Sequence, residues 1–220
     1  MTLPVTILVV AKAPVPGVAK TRLAAGVGAE AAADIAAAAL LDTLDAVARA
    51  PVSRRVVALT GDLGQARREN EIKRRLDDFI VVAQRGDGFA ERLVHAHEDA
   101  ACPGVPVLQI GMDTPQVSAG LLADCAQALM DTDAVLGMAF DGGWWVLGVH
   151  EATTAACLGT VPMSRPDTGA VTLAALRGTG IAVNLVTELA DVDTLADIDV
   201  VRNACAPDSR FCCATRAAGV

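Results

Sequence analysis

The 220 residues suffice for one large α/β domain, and 53% hydrophobic content with a net charge of −8 excludes global disorder and a surface built to hold nucleic acid. Aromatic residues make up only 3%, with no Tyr, so the core must be built from Ala, Val, Leu and Ile, a composition suited to helices packed closely on a parallel sheet. No apolar run approaches the roughly 20 residues that span a bilayer, and no basic segment precedes the first apolar stretch, which predicts a cytoplasmic protein without membrane contact.

Residues 5–10, Val-Thr-Ile-Leu-Val-Val, form the continuous apolar run of a strand covered on both faces, hence central in a sheet. A loop with Pro14, Pro16 and Gly17 leads to an Ala-rich helix over 29–49, stopped by Pro51. A second strand over 55–60 turns at Gly61-Asp62 into a charged helical stretch ending near Asp78. A third strand over 79–83, a Gly86-Asp87-Gly88 turn and a helix over 89–101 follow. The fourth strand, 107–110, ends in Gly111-Met-Asp-Thr-Pro115, after which Ser118 caps a helix over 119–130. Strands over 134–140 and 144–149 flank Asp141-Gly-Gly143, and a further strand over 181–186 precedes a last helix from about Thr194. From Pro207 the chain reads as a weakly structured tail, which leaves 1–206 as a single domain.

Repeated strand–helix alternation implies parallel pairing with right-handed crossovers, a Rossmann-like α/β/α sandwich whose ligands bind beyond the carboxyl ends of its strands. The motifs lie there. Ala11-Lys-Ala-Pro-Val-Pro-Gly-Val-Ala-Lys-Thr-Arg-Leu23 follows the first strand. Its two prolines stiffen the loop and Gly17 permits a close turn, which would gather Lys12, Lys20 and Arg22 around a diphosphate. It is not a P-loop, because Pro14 and Ala19 occupy the two required glycine positions.

Asp113, after an apolar strand, is a hard-oxygen ligand suited to Mg²⁺ or Mn²⁺, with Asp193 of Asp191-Val-Asp-Thr194 as a candidate second ligand. Asp193 or Thr194 also suits the role of helix cap. Asp141 opens a turn whose two glycines would let a sugar approach the backbone, beside Trp144-Trp145, of which one must face each side of the strand. His95 and His97, two apart on a helix, point in different directions and form no chelating pair. The six cysteines show no C-x-x-C spacing and read as reduced thiols.

On Ala11-Lys-Ala-Pro-Val-Pro-Gly17 with Lys20-Thr-Arg-Leu23, Gln84-Arg-Gly-Asp-Gly88 with Glu91-Arg92, Gly111-Met-Asp-Thr-Pro115, Asp141-Gly-Gly143 and Asp191-Val-Asp-Thr194, the chain resembles a known family over residues 4–203. These are bacterial glycosyltransferase-A-like proteins of the nucleotide-diphospho-sugar transferase superfamily, related to the molybdenum-cofactor and 2-phospholactate nucleotidyltransferases. The resemblance implies a nucleotide site of Ala11, Lys12, Gly17, Lys20, Arg22, Arg85, Gly86 and Asp87. It places a divalent cation at Asp113, and Asp113, Asp141 and Lys20 in catalysis.

The implied partners are a nucleotide or nucleotide sugar and a small acceptor, and a homodimer is compatible with the sequence. Sugar transfer is the leading reading. Nucleotidyl transfer from a nucleoside triphosphate and a non-catalytic nucleotide-binding regulator are the alternatives. Val18 stands where the family often carries Arg, and Met138 and Phe140 alter the approach to the Asp-Gly-Gly turn.

Overall fold

The computed structural model describes residues 2–220. Strands β1 (Leu3–Lys12), β2 (Val52–Thr60), β3 (Ile80–Ala83), β4 (Val107–Gly111), β5 (Ala134–Ala139), β6 (Trp144–Val149) and β7 (Val183–Leu189) form one sheet in the order β3-β2-β1-β4-β6-β5-β7. All neighbours pair in parallel except β6, which runs antiparallel between β4 and β5. The carboxyl ends of the six other strands therefore share one edge of the sheet with the β5–β6 turn.

β1 sits near the middle because its residues have apolar neighbours on both faces. Val5, Ile7 and Val9 point into a core shared with α2 (Ala29–Arg49) and α5 (Ala119–Met130). Leu8 and Val10 face α4 (Phe89–Ala100), α6 (Thr168–Gly178) and a 3₁₀ segment at Ala152–Thr160. Ser118 caps α5, its hydroxyl accepting from the Leu121 N–H, as its sequence position predicts.

The Ala-rich run of α2 is explained by a third core. Ala32, Ile35, Ala38 and Ala39 on the helix's outer side pack with Leu23 of α1 (Thr21–Val27), Ile198 and Val201 of α7 (Leu195–Ala204), and Phe211 of α8 (Arg210–Ala217). A helix covered on both sides is apolar all round, and small side chains let its neighbours approach closely.

α8 corrects the expectation of a loose tail. Phe211 is fully buried, Asp42 accepts from the N–H groups of Arg210 and Phe211, and the Arg210 guanidinium bonds Asp42 and Asp45 at 3.2 and 2.7 Å. The stretch looked polar in sequence because its anchoring carboxylates lie some 165 residues earlier on α2. All six cysteines are free, as the spacing predicts. Among the described residues no helix is long and apolar enough to cross a membrane.

Candidate functional site

The loop after β1, the turn after β4 and the segment after β7 meet at one point. The Lys20 ammonium lies 2.7 Å from Asp113 Oδ2 and donates to the Val192 carbonyl, while the Val192 N–H donates to the Asp113 carbonyl at 3.0 Å. Lys20 reaches this point from a left-handed backbone conformation, φ 51°, uncommon for a residue with a side chain. Gly17 turns the loop at φ 76°.

Each of the three cations singled out in sequence has its own protein partner. Lys12 donates to the Val18 carbonyl at 2.8 Å, Lys20 serves Asp113, and Arg22 pairs with Asp193. Ala11 is buried, and its carbonyl accepts from Gln84 Nε2, which also reaches the Ala58 carbonyl and so ties the carboxyl ends of β1 and β2 together. Gly86, at φ 117°, gives its carbonyl to Arg92, and the Asp87 N–H donates to Glu91. Arg85 turns to α4 instead, bonding both oxygens of Asp99 at 3.0 and 2.8 Å, so the structure does not bring it to Lys20.

The acidic side centres on Asp191. Its carboxyl is pushed up to about 6, first by burial and then by the like charges of Asp141 and Asp113, with Lys20 opposing. Asp193 faces Arg22, and Asp197 accepts from the Asp193 and Thr194 N–H groups in a capping box at the start of α7. Val192, buried between the two aspartates, directs them to different surroundings.

The residues fit a divalent cation at one point. Asp113 Oδ1 is buried without a hydrogen-bond partner, and Asp113 and Asp191 carry hard oxygens whose like charge a cation would neutralise. Among the described residues no three His, Cys, Asp or Glu side chains already form a metal-holding group. A Mg²⁺-type site with one or two carboxylates, completed by water and phosphate oxygens, matches such a set.

The Asp141-Gly-Gly143 turn differs from the sequence expectation. An added Cβ at Gly142, φ 89°, would fall 1.9 Å from the Pro166 carbonyl oxygen, and the Gly169 N–H donates to the Gly142 carbonyl at 2.8 Å. The glycine at 142 admits the loop before α6, not a sugar. Asp141 Oδ1 accepts from the Gly143 N–H at 2.7 Å and the side chain stays exposed. Trp145 is buried, its indole N–H donating to the Thr187 carbonyl, while Trp144 is half-buried against the opposite core.

A sheet of this order, with the Lys20 loop and the acidic turns on its carboxyl edge, defines an α/β protein of the nucleotide-diphospho-sugar transferase fold. The chain belongs to the family described as "Uncharacterized protein conserved in bacteria (DUF2064)", whose model matches residues 43–165. That span contains Asp113 and Asp141, while the loop after β1 and Asp191 lie outside it.

A candidate nucleotide-diphospho-sugar transferase from Desulfovibrio desulfuricans G20 is similar at 27% identity and TM-score 0.84, over 99% of this chain and 95% of its own. Rv0371c from Mycobacterium tuberculosis H37Rv, solved in complex with manganese, shares the fold at 18% identity and TM-score 0.56, over 90% and 97%. So does 4-diphosphocytidyl-2C-methyl-D-erythritol synthase from Anaerococcus prevotii DSM 20548, at 14% and 0.58, over 91% and 98%. No curated protein matches the chain in sequence.

Proposed function

We propose that the carboxyl edge of the sheet binds the diphosphate of a nucleotide sugar and transfers the sugar to a small acceptor. The observation that carries this reading is Lys20, a phosphate-loop cation held 2.7 Å from a carboxylate that keeps an unpartnered buried oxygen. Cations and carboxylates interleave there as a metal-bound diphosphate requires. The manganese held by Rv0371c on the same fold supports a divalent cation, for which Asp113 and Asp191 are the ligands proposed.

When bound, such an ion draws off charge that develops on the departing diphosphate. Lys20 and Arg22 bind the diphosphate oxygens, so their attraction is greatest as the leaving group gains charge. Asp141 accepts the acceptor's proton through the oxygen that the Gly143 N–H leaves free.

Calorimetric titration of nucleoside phosphates and nucleotide sugars, with and without Mg²⁺ or Mn²⁺, tests the reading. A nucleoside diphosphate or its sugar should bind only with the cation, and Asp113→Ala should abolish that dependence. Unchanged cation-dependent affinity in the variant removes Asp113 from the site. Pyrophosphate release from a nucleoside triphosphate would replace sugar transfer by nucleotidyl transfer.

A further inference from the structure

The part of the carboxyl edge formed by β5 and β7 is rich in carboxylates. Lys12 closes β1, Lys20 lies in the loop after it and Arg22 stands in the first turn of α1. Around the ends of β5 and β7 stand Asp141, Asp191 and Asp193, the last paired with Arg22. The arginine of the loop docked on the Asp-Gly-Gly turn, Arg165, is held by both oxygens of Asp167 at 3.0 and 3.1 Å. A phosphorylated acceptor entering from this side would meet the carboxylates of Asp141 and Asp191, and Arg22 and Arg165 are both already paired with carboxylates.

The same side carries apolar surface in a chain that has few aromatics. Of the four phenylalanines Phe140 is the most exposed, at 64%, and its backbone is fixed where it stands, its N–H donating to the Leu189 carbonyl at 3.0 Å. Asp141 follows it directly, and Asp191 lies two residues beyond Leu189. Met138, Trp144 and Met163 are only partly buried on the core under this end of the β5–β6 hairpin. A single exposed apolar residue is ordinary. One whose backbone is fixed directly before Asp141, against the strand that leads to Asp191, is placed to select what approaches these carboxylates.

Resting on the sugar-transfer reading above, we propose that the acceptor is an uncharged hydroxyl compound with an apolar portion, which Phe140 receives while its hydroxyl faces Asp141. The acceptor oxygen bonds to the anomeric carbon of the donor. The bond from that carbon to the diphosphate breaks with its electron pair on the diphosphate oxygen, and the acceptor proton passes to Asp141. The nucleoside diphosphate leaves with the charge it gained.

The protein, saturated with Mg²⁺ and the nucleoside diphosphate that titrates best, is challenged with phenyl β-D-glucoside, glucose and glucose 6-phosphate by ligand-observed NMR. Phenyl glucoside should bind at least tenfold more tightly than glucose 6-phosphate, with saturation strongest on its ring protons. Phe140→Ser should bring it down to the affinity of glucose, and Phe140→Leu should restore most of the difference. Tighter binding of glucose 6-phosphate, or a phenyl preference that survives Phe140→Ser, overturns the acceptor class while nucleotide binding stands. Absence of any nucleoside diphosphate binding in the preceding titration overturns the donor reading and this inference with it.

Discussion

Asp191 offers a test in which stability and function pull apart. Its carboxyl is half-buried beside Asp141 and Asp113, and its pKa is pushed up to about 6. Because the folded value lies above the ordinary one of about 3.9, the unfolded chain gives up this proton first. The contribution of Asp191 to stability is therefore intact below about pH 4 and is lost as pH rises through about 6. At about 1.4 kcal/mol per pH unit, the full difference would be about 3 kcal/mol. The side chain keeps contact with water, whose screening reduces it to about 1–1.5 kcal/mol.

Asp191→Asn keeps the shape and removes the charge. It should raise Tm at pH 7.5 by about 2–6 °C, taking about 2–4 °C per kcal/mol for a chain of this size. Near pH 4 the variant and the parent should melt together. Differential scanning calorimetry of both proteins at the two pH values, in buffer freed of divalent cations, reads the effect as a difference, so other titrating groups cancel. Added Mg²⁺ should then raise the Tm of the parent more than that of the variant, since only the parent keeps the second carboxylate. An unchanged or lowered Tm for Asp191→Asn at pH 7.5 would refute the crowding of these carboxylates, and with it the argument that they await a cation.

Lys20→Ala should weaken nucleoside diphosphate binding by about 1.5–3 kcal/mol, the range for a charged hydrogen bond, and leave nucleoside binding alone; equal losses for both ligands in calorimetry would signal a collapsed loop. Phe211→Ala should cost about 3–5 kcal/mol in urea denaturation, because it empties the core that fixes α8 against α2, and a loss under 1 kcal/mol would mean that this helix adds little. His97, fully buried beside Gln109 without a well-formed hydrogen bond, has its pKa lowered to about 4 by burial. Its folded value lies below the ordinary one, so the stability it contributes is complete above about pH 6.5 and falls by up to about 3 kcal/mol as pH drops toward 4; His97→Gln should flatten that limb, and an unchanged acid limb would remove His97 as its cause.

What the sequence made legible follows from where each element finds its partners. β1 and α5 announce themselves through continuous apolar runs and a serine cap, signals that need nothing distant. α1 and α6 carry no such signal: α1 is seven residues long and follows Lys20, whose side chain does not cap it, and α6 opens on Thr168-Gly169. Gly169 is required because a Cβ there would stand 2.4 Å from the Gly143 carbonyl oxygen. Neither glycine explains itself alone, since each is small for the sake of a segment some 25 residues away.

The site divides the same way. Asp113 and Asp141 were placed by the strands that precede them. The sequence offers Asp193 as the second ligand, whereas Asp191 is the one beside Asp113 and Asp141; this depends on which way the chain rotates after β7, and Val192, buried between the two, is the one local sign of it. Because Val192 is also the residue whose carbonyl holds Lys20 and whose N–H holds Asp113, the turn that selects Asp191 is the one that fixes the cation opposite it. A change that loosens Val192 should therefore shift both charges at once, which couples Lys20 to Asp113 and Asp191 through backbone alone.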